Sequence, residues 1–237
     1  MRVIEQYVEI LGGFHAEDAL WRIEEAARNC YKSEGKNAER SVAKRDALIR
    51  HVVKRGHTSV LEHITVPMRI VTDRGVSHEW VRHRIGWSYS QESTRYCNYG
   101  HSEGIEVIRP HWMTRTEFYQ ISNEQIESIP HRFVAWYRAV SVAEQSYLDM
   151  LTDGCRPEEA RDVLPNCLKT EIVATANLVA LRHFFNKRCA KDAHPKIRSL
   201  ALQLLAELYQ RMPIVFGDQK KEFIGEDASA SSISFAV

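Results

Sequence analysis

Arg82-His83-Arg84-Ile85-Gly86-Trp87-Ser88-Tyr89-Ser90-Gln91-Glu92-Ser93-Thr94-Arg95-Tyr96 packs three arginines, a histidine and four Ser/Thr hydroxyls into one short segment, with aromatic rings between them. Burying such a segment is costly unless something anionic or polar lies against it. Arginine presents a planar fork of donors that matches phosphate and carboxylate oxygens. Ser88, Ser90, Ser93 and Thr94 add donors and acceptors of short reach. The pattern reads as a pocket for a phosphorylated ligand with aromatic surfaces for flat rings. The competing reading is a solvated basic loop, the usual meaning of a charge run.

The rest of the chain makes any such recognition local. Its formal net charge is +1, so it is no general binder of polyanions. No apolar run approaches the ~20 residues needed to span a bilayer. The start, Met1-Arg2-Val3-Ile4-Glu5, lacks the apolar core of a signal peptide. Cys30, Cys97, Cys155, Cys167 and Cys189 are scattered, with no Cys-x-x-Cys pair, so neither a zinc site nor a disulfide framework is expected. A reducing cytoplasm fits this cysteine usage.

Immediately upstream, Val76 to His83 reads as a helix that delivers the basic stretch, after a turn at Asp73-Arg74-Gly75. Continued through Arg84, that helix would point Arg82 and Arg84 about 200° apart, toward different neighbours. Beyond Gly86 the chain reads as irregular or extended, so that Ser93 and Arg95 would point the same way and could clasp a phosphate. Further upstream, Val3 to Leu11 reads as a strand ended by Gly12-Gly13, and Ala16 to Lys32 as a helix. A loop covers residues 33–40. Ser41 can cap a helix running to Arg55, and Gly56 stops it. His57-Thr58-Ser59-Val60-Leu61-Glu62-His63 then precedes a strand, Ile64 to Thr72. His57 and His63 are six apart, an unnatural spacing for two metal ligands on one helix, and His63 reads as a satisfied structural histidine.

Downstream, Glu106 to Arg109 is a short strand, Thr114 to Gly154 a long helical region, and Pro157 opens a short helix through Arg161. Lys169 to Thr175 has strand character. Asn177 to Arg188 reads as a helix whose two end residues, eleven apart, fall within about 20° of one face and roughly 16 Å apart. His183 falls on another side of it. Arg188 is also what a helix dipole favours at a C-terminus. His194 to Arg211 is amphipathic, with a stripe broad enough for core or subunit contact. The alternation of strands and helices reads as α/β (α+β).

Arg82-His83-Arg84 followed by a serine and an Arg-Tyr pair resembles the signature of the flavin-dependent thymidylate synthases. Gly56-His57-Thr58-Ser59-Val60-Leu61-Glu62-His63 resembles the family's segment upstream of it. Ala160-Arg161-Asp162-Val163-Leu164-Pro165 and the Asn177…His183…Arg188 helix resemble its second half. The four segments stand in the family's order and span Gly56 to Arg211. One departure exists. In the family seven residues separate Arg-His-Arg from the serine, whose place this chain gives to Glu92; Ser93 follows one place later. A one-residue insertion near Gly86-Trp87 accounts for it.

The resemblance implies one domain over residues 1–223, with mixed helices around a small central sheet; the small, polar Ser-Ala composition after Phe223 reads as a flexible tail over 224–237. It implies reductive methylation of dUMP to dTMP, with FAD as hydride carrier, NADPH as reductant and methylenetetrahydrofolate as carbon donor. It implies a homotetramer with shared active sites, and no metal. Carried over by position, Glu79, Arg82, Ser93, Arg95, Arg161 and Arg188 would surround the dUMP. His57, Ser59, Arg82, His83, Arg84, Gln91, Asn177 and His183 would surround the FAD. Arg188 against the pyrimidine N3–O4 edge would stabilise negative charge on the ring, so that no cysteine nucleophile is needed. Glu79 stands where relatives often carry glutamine, which raises a related reaction on another pyrimidine nucleotide, such as dCMP. A single-stranded nucleic-acid-binding module is the reading from a different class, and the near-neutral charge argues against it.

Overall fold

The computed structural model describes residues 1–31, 40–101, 104–114, 116–117 and 130–225. Its centre is a pair of nine-residue antiparallel strands, β3 (Thr65–Asp73) and β6 (Lys169–Asn177), in register from Thr65↔Asn177 to Asp73↔Lys169. Two shorter strands flank them, β2 (Tyr7–Ile10) on β3 and β4 (Trp87–Gln91) on β6, giving the antiparallel order β2-β3-β6-β4. Side chains alternate across a sheet. Val66, Met68 and Ile70, with Ile172, Ala174 and Ala176, therefore all enter the core, while Ser88, Ser90 and Val173 face outward. Pro67 is tolerated in the central β3 because β2 has already ended beside it; Leu11 N donates to its carbonyl at 3.0 Å.

A second sheet pairs β1 (Arg2–Ile4) in parallel with β5 (Glu106–Ile108). The stretch Val3 to Leu11 is thus two strands in two sheets rather than one. Glu5 and Gln6 make the break, and Gln6 is held there by the carbonyl of Lys196 and by Thr72.

Helices cover the inner face of the larger sheet. They are α1 (Ala16–Tyr31), α2 (Val42–Arg55), α3 (Arg74–Trp80), α6 (Leu178–Arg188), α7 (Pro195–Arg211) and α8 (Pro213–Phe223). Ser41 caps α2 through Lys44 N, and Gly56 closes it at φ +70°, as the sequence suggests. The stripe of α7 (Ile197, Leu200, Leu204, Leu205, Leu208) is fully buried, so it serves this chain's own core. A smaller core lies under α4 (His131–Thr152), where Val140 meets Ile105, Val107 and Leu168. The one-turn α5 (Pro157–Ala160) follows. Of the expected helical region from Thr114, residues 115 and 118–129 lie outside those described, as do residues 226–237 of the expected tail. The architecture is a mixed α+β single domain.

Asp73-Arg74-Gly75 is not a turn but a helix start. Asp73 Oδ1 accepts from Val76 N at 2.7 Å, which caps α3. Its other oxygen pairs with Lys196 Nζ at 2.5 Å, and both side chains are buried. This ion pair ties the start of α3 to α7 and fixes the direction in which α3 delivers the basic stretch.

Candidate active site

α3 ends at Trp80, not His83. Trp80 is fully buried and packs on Phe184 of α6 with ring centroids 4.7 Å apart. The chain then leaves helical geometry, so Arg82 and Arg84 are not thrown to opposite sides. Both line one open cleft of about 450 Å³, with Glu62, His83, Ile85, Trp87, Asn177, Val179, Ala180 and His183. Gly86 allows the turn at φ +76°, and a Cβ there would stand 2.7 Å from Asn177 Nδ2 and 2.9 Å from Ala180 Cβ. Asn177 is the N-cap of α6, accepting from Ala180 N at 2.8 Å. Its amide nitrogen is thereby turned toward Gly86. His183, one further turn along, lines the same cleft as Asn177, contrary to the face count made from the sequence.

Arg188 closes the back of this region. Its Nε donates to His83 Nε2 at 3.0 Å, Nη1 to Glu79 Oε2 at 2.7 Å, and Nη2 to the Glu79 carbonyl at 3.1 Å. Burial, the charge on Arg188 and the charges of His183 and Arg82 push the His83 imidazole down to about 4, so it is neutral and able to accept. Arg188 keeps one N–H on each Nη for a ligand. Arg82 and Arg84 are exposed and make no ion pair among the described residues. Two adjacent uncompensated guanidinium groups beside Trp87, two imidazoles and an amide form a donor set suited to phosphate oxygens and a flat heterocycle. That chemistry fits a flavin dinucleotide.

The other expected ligands lie elsewhere in the chain. Ser93 and Arg95 are not alternate residues of a strand. The segment turns after β4, with Tyr96 N and Cys97 N both donating to the Ser93 carbonyl and Arg95 N to Ser93 Oγ at 3.3 Å. Arg95 pairs with Glu158 at 2.7 Å, and Arg161 reaches Thr94 Oγ1 at 3.5 Å. Ser93, Arg95 and Arg161 thus gather in one patch, while Glu79, Arg82 and Arg188 gather in another. Among the described residues no hydrogen bond or ion pair joins the two.

Gln91 does not line the cleft. It points inward and donates to Ser77 Oγ and Thr170 Oγ1, both at 3.1 Å. His57 and Ser59 are exposed around the short 3-10 turn Thr58–Leu61, which leads to Glu62 on the cleft. His63 is exposed and borders a separate cavity with Gly12, His15 and Arg22, so it is not a core histidine. Sequence reasoning left out Glu62, Ile85, Trp87, Val179 and Ala180. Glu62 stood in a segment already singled out; the two α6 residues became visible only once Asn177 was known to be a cap. No group of three or more His, Cys, Asp or Glu side chains among the described residues could hold a metal ion.

Known proteins resemble the chain throughout. The family described as thymidylate synthase complementing protein matches residues 14–214. A flavin-dependent thymidylate synthase from Geobacter sulfurreducens is 34% identical over 208 residues, 86% of this chain and 83% of that protein. One from Corynebacterium efficiens is 34% identical over 231 residues, 94% of this chain and 88% of that protein. A solved structure, the UMP/dUMP methylase PolB from Streptomyces cacaoi bound with 5-Br dUMP, shares the fold with a TM-score of 0.72 at 23% identity. It covers 96% of this chain and 100% of its own.

Proposed function

The chain belongs to the flavin-dependent thymidylate synthase family, and from that membership we propose that it methylates dUMP reductively to dTMP. The observation that carries the reading is the Arg188 guanidinium clamped by Glu79 and by His83, a residue lining a cleft whose own two arginines, Arg82 and Arg84, make no ion pair among the described residues. When bound, FAD supplies hydride transfer, with NADPH as its reductant and methylenetetrahydrofolate as the carbon donor.

The protein's part is binding and electrostatics. Arg82 and Arg84 neutralise the flavin's phosphates, His83, Asn177 and His183 offer polar contacts, and Trp87 gives an apolar wall. His57 and Ser59 extend the flavin side of the cleft. Carbon 5 of uracil is a poor nucleophile. The two remaining N–H groups of Arg188, set against the N3–O4 edge, lower the cost of negative charge on the ring and make carbon 5 a better one. Arginine does not deprotonate, so its role is charge stabilisation.

Cysteine is not required. Cys189 is buried beside Arg188, and burial pushes its thiol up to about 12. None of the five cysteines lines the cleft. Ser93, Arg95 and Arg161 would bind the nucleotide phosphate on a neighbouring subunit's cleft. That places the two patches in one site within a homotetramer. Free cysteines suit a reducing cytoplasm, and no helix among the described residues is long and apolar enough to cross a membrane.

The test is a spectrum and a turnover assay. The purified protein should be yellow, bleach with NADPH, and form dTMP from dUMP and methylenetetrahydrofolate. A colourless protein that takes up no added flavin would overturn the reading. Preference for dCMP would move it to a cytosine nucleotide, the outcome a carboxylate at Glu79 would favour.

A further inference from the structure

Glu92, which stands where the family's serine would fall, is fixed at four points. Its N–H donates to the Glu171 carbonyl at 2.8 Å, and its own carbonyl accepts from Arg74 Nη1 at 3.3 Å. Its carboxylate accepts from Tyr99 Oη at 2.7 Å through one oxygen and from Lys169 Nζ at 3.2 Å through the other. Tyr99 is itself anchored, its N–H donating to the hydroxyl of fully buried Tyr147 at 3.2 Å. Burial and the Glu92 carboxylate hold the Tyr99 phenol well above its ordinary range, so it remains a donor.

The Glu92–Tyr99 bond closes the loop 93–98 at its base. Within that loop, Tyr96 N and Cys97 N donate to the Ser93 carbonyl at 3.1 and 2.9 Å, which sets the Ser93–Arg95 turn. We propose that Glu92, bonded to Tyr99 and Lys169, is a positioning residue that presets the Ser93–Arg95 turn for the phosphate of the nucleotide substrate. Such preorganisation strengthens binding by removing the cost of ordering the loop. The inference rests on the nucleotide reading given above.

Two variants test it, Glu92→Leu and Tyr99→Phe, with two readouts. The first readout is amide exchange in ligand-free protein. Both variants should speed exchange at Tyr96 and Cys97 about tenfold while leaving α6 and α7 unchanged. The second is kinetic. The KM for dUMP should rise about tenfold, with kcat within twofold, flavin content unchanged, and inhibition by deoxyuridine, which lacks the phosphate, unaltered. The double variant should add little to Glu92→Leu alone, because that substitution already removes the Glu92–Tyr99 bond. Unchanged exchange at Tyr96 and Cys97 would overturn the brace. Faster exchange with an unchanged KM, or equal weakening of nucleoside and nucleotide, would overturn its role toward phosphate. Wild-type protein that turns over no dUMP would overturn the substrate reading, and the brace's purpose with it, whatever the exchange rates.

Discussion

Arg188 is held by Glu79 at two points, a carboxylate oxygen at 2.7 Å from Nη1 and the backbone carbonyl at 3.1 Å from Nη2. With His83 on Nε, three donors of one guanidinium are fixed by a five-residue stretch at the end of α3. The end of α6 and the end of α3 are thereby tied together, and one N–H on each Nη is left over.

Arg188→Ala should therefore abolish most dTMP formation and leave flavin bound. Loss of one well-placed donor to a developing negative charge costs about 10²–10³-fold in turnover. Arg188→Lys should not restore it, since a point charge cannot reach three acceptors in a plane. Flavin absorbance measured alongside turnover separates the two effects; near-normal turnover in Arg188→Ala would remove the charge-stabilising role.

Burial of His83, with the charge of Arg188 beside it, sets a pH dependence. His83 is pushed down to about 4 in the folded chain from 6.5. Between those values the unfolded state binds more protons than the folded one, so stability rises with pH. His83's contribution is fully present above pH 6.5 and is lost as pH falls toward 4. Urea midpoints at pH 7 and pH 5 should differ less in His83→Gln than in the wild type. An equal difference in both would show that His83 titrates normally.

How far the sequence showed this arrangement depends on what each residue had to reveal. Ser41 and Gly56 mark the ends of α2 because capping is local chemistry. Asp73-Arg74-Gly75 misleads because the residues that make a turn also cap a helix, and Lys196, which holds Asp73, is distant in sequence. The break between β1 and β2 is invisible for the same reason: Gln6 turns on contacts with Thr72 and Lys196. The cleft residues Arg82, His83, Arg84, Asn177 and His183 were all named from the sequence, but the face counts that assigned their directions assumed helix where α3 had ended and missed that Asn177 is a cap. Helix α8 was not anticipated; Gly217 lies within it, and its packing on α7 rather than its propensity sustains it.

Gly86→Ala should disturb the cleft more than the overall fold. The residue sits at φ +76°, and an added Cβ meets Asn177 Nδ2 at 2.7 Å. A non-glycine residue held in that region costs roughly 1–3 kcal/mol, and the clash falls on the Asn177 amide that lines the cleft. The expected result is a modestly lowered melting temperature with a larger fall in flavin content. Unchanged flavin content would place Asn177 outside the binding surface.

The buried Asp73–Lys196 pair separates structure from chemistry. Asp73→Asn keeps an oxygen to cap α3 but leaves the Lys196 ammonium buried beside a neutral amide. Removing one partner of such a pair costs about 3–5 kcal/mol, which for a chain of this length lowers the melting temperature by roughly 10 °C. Replacing both, Asp73→Asn with Lys196→Met, removes the uncompensated charge and should recover most of that loss, since apolar packing often matches a buried ion pair. Thermal melts of the single and double variants check the arithmetic. Because the pair sets where α3 begins, the single variant should also loosen Glu79 and hence Arg188, lowering turnover in the fraction that remains folded. Full turnover per folded molecule would show that the grip of Glu79 on Arg188 does not depend on how α3 starts.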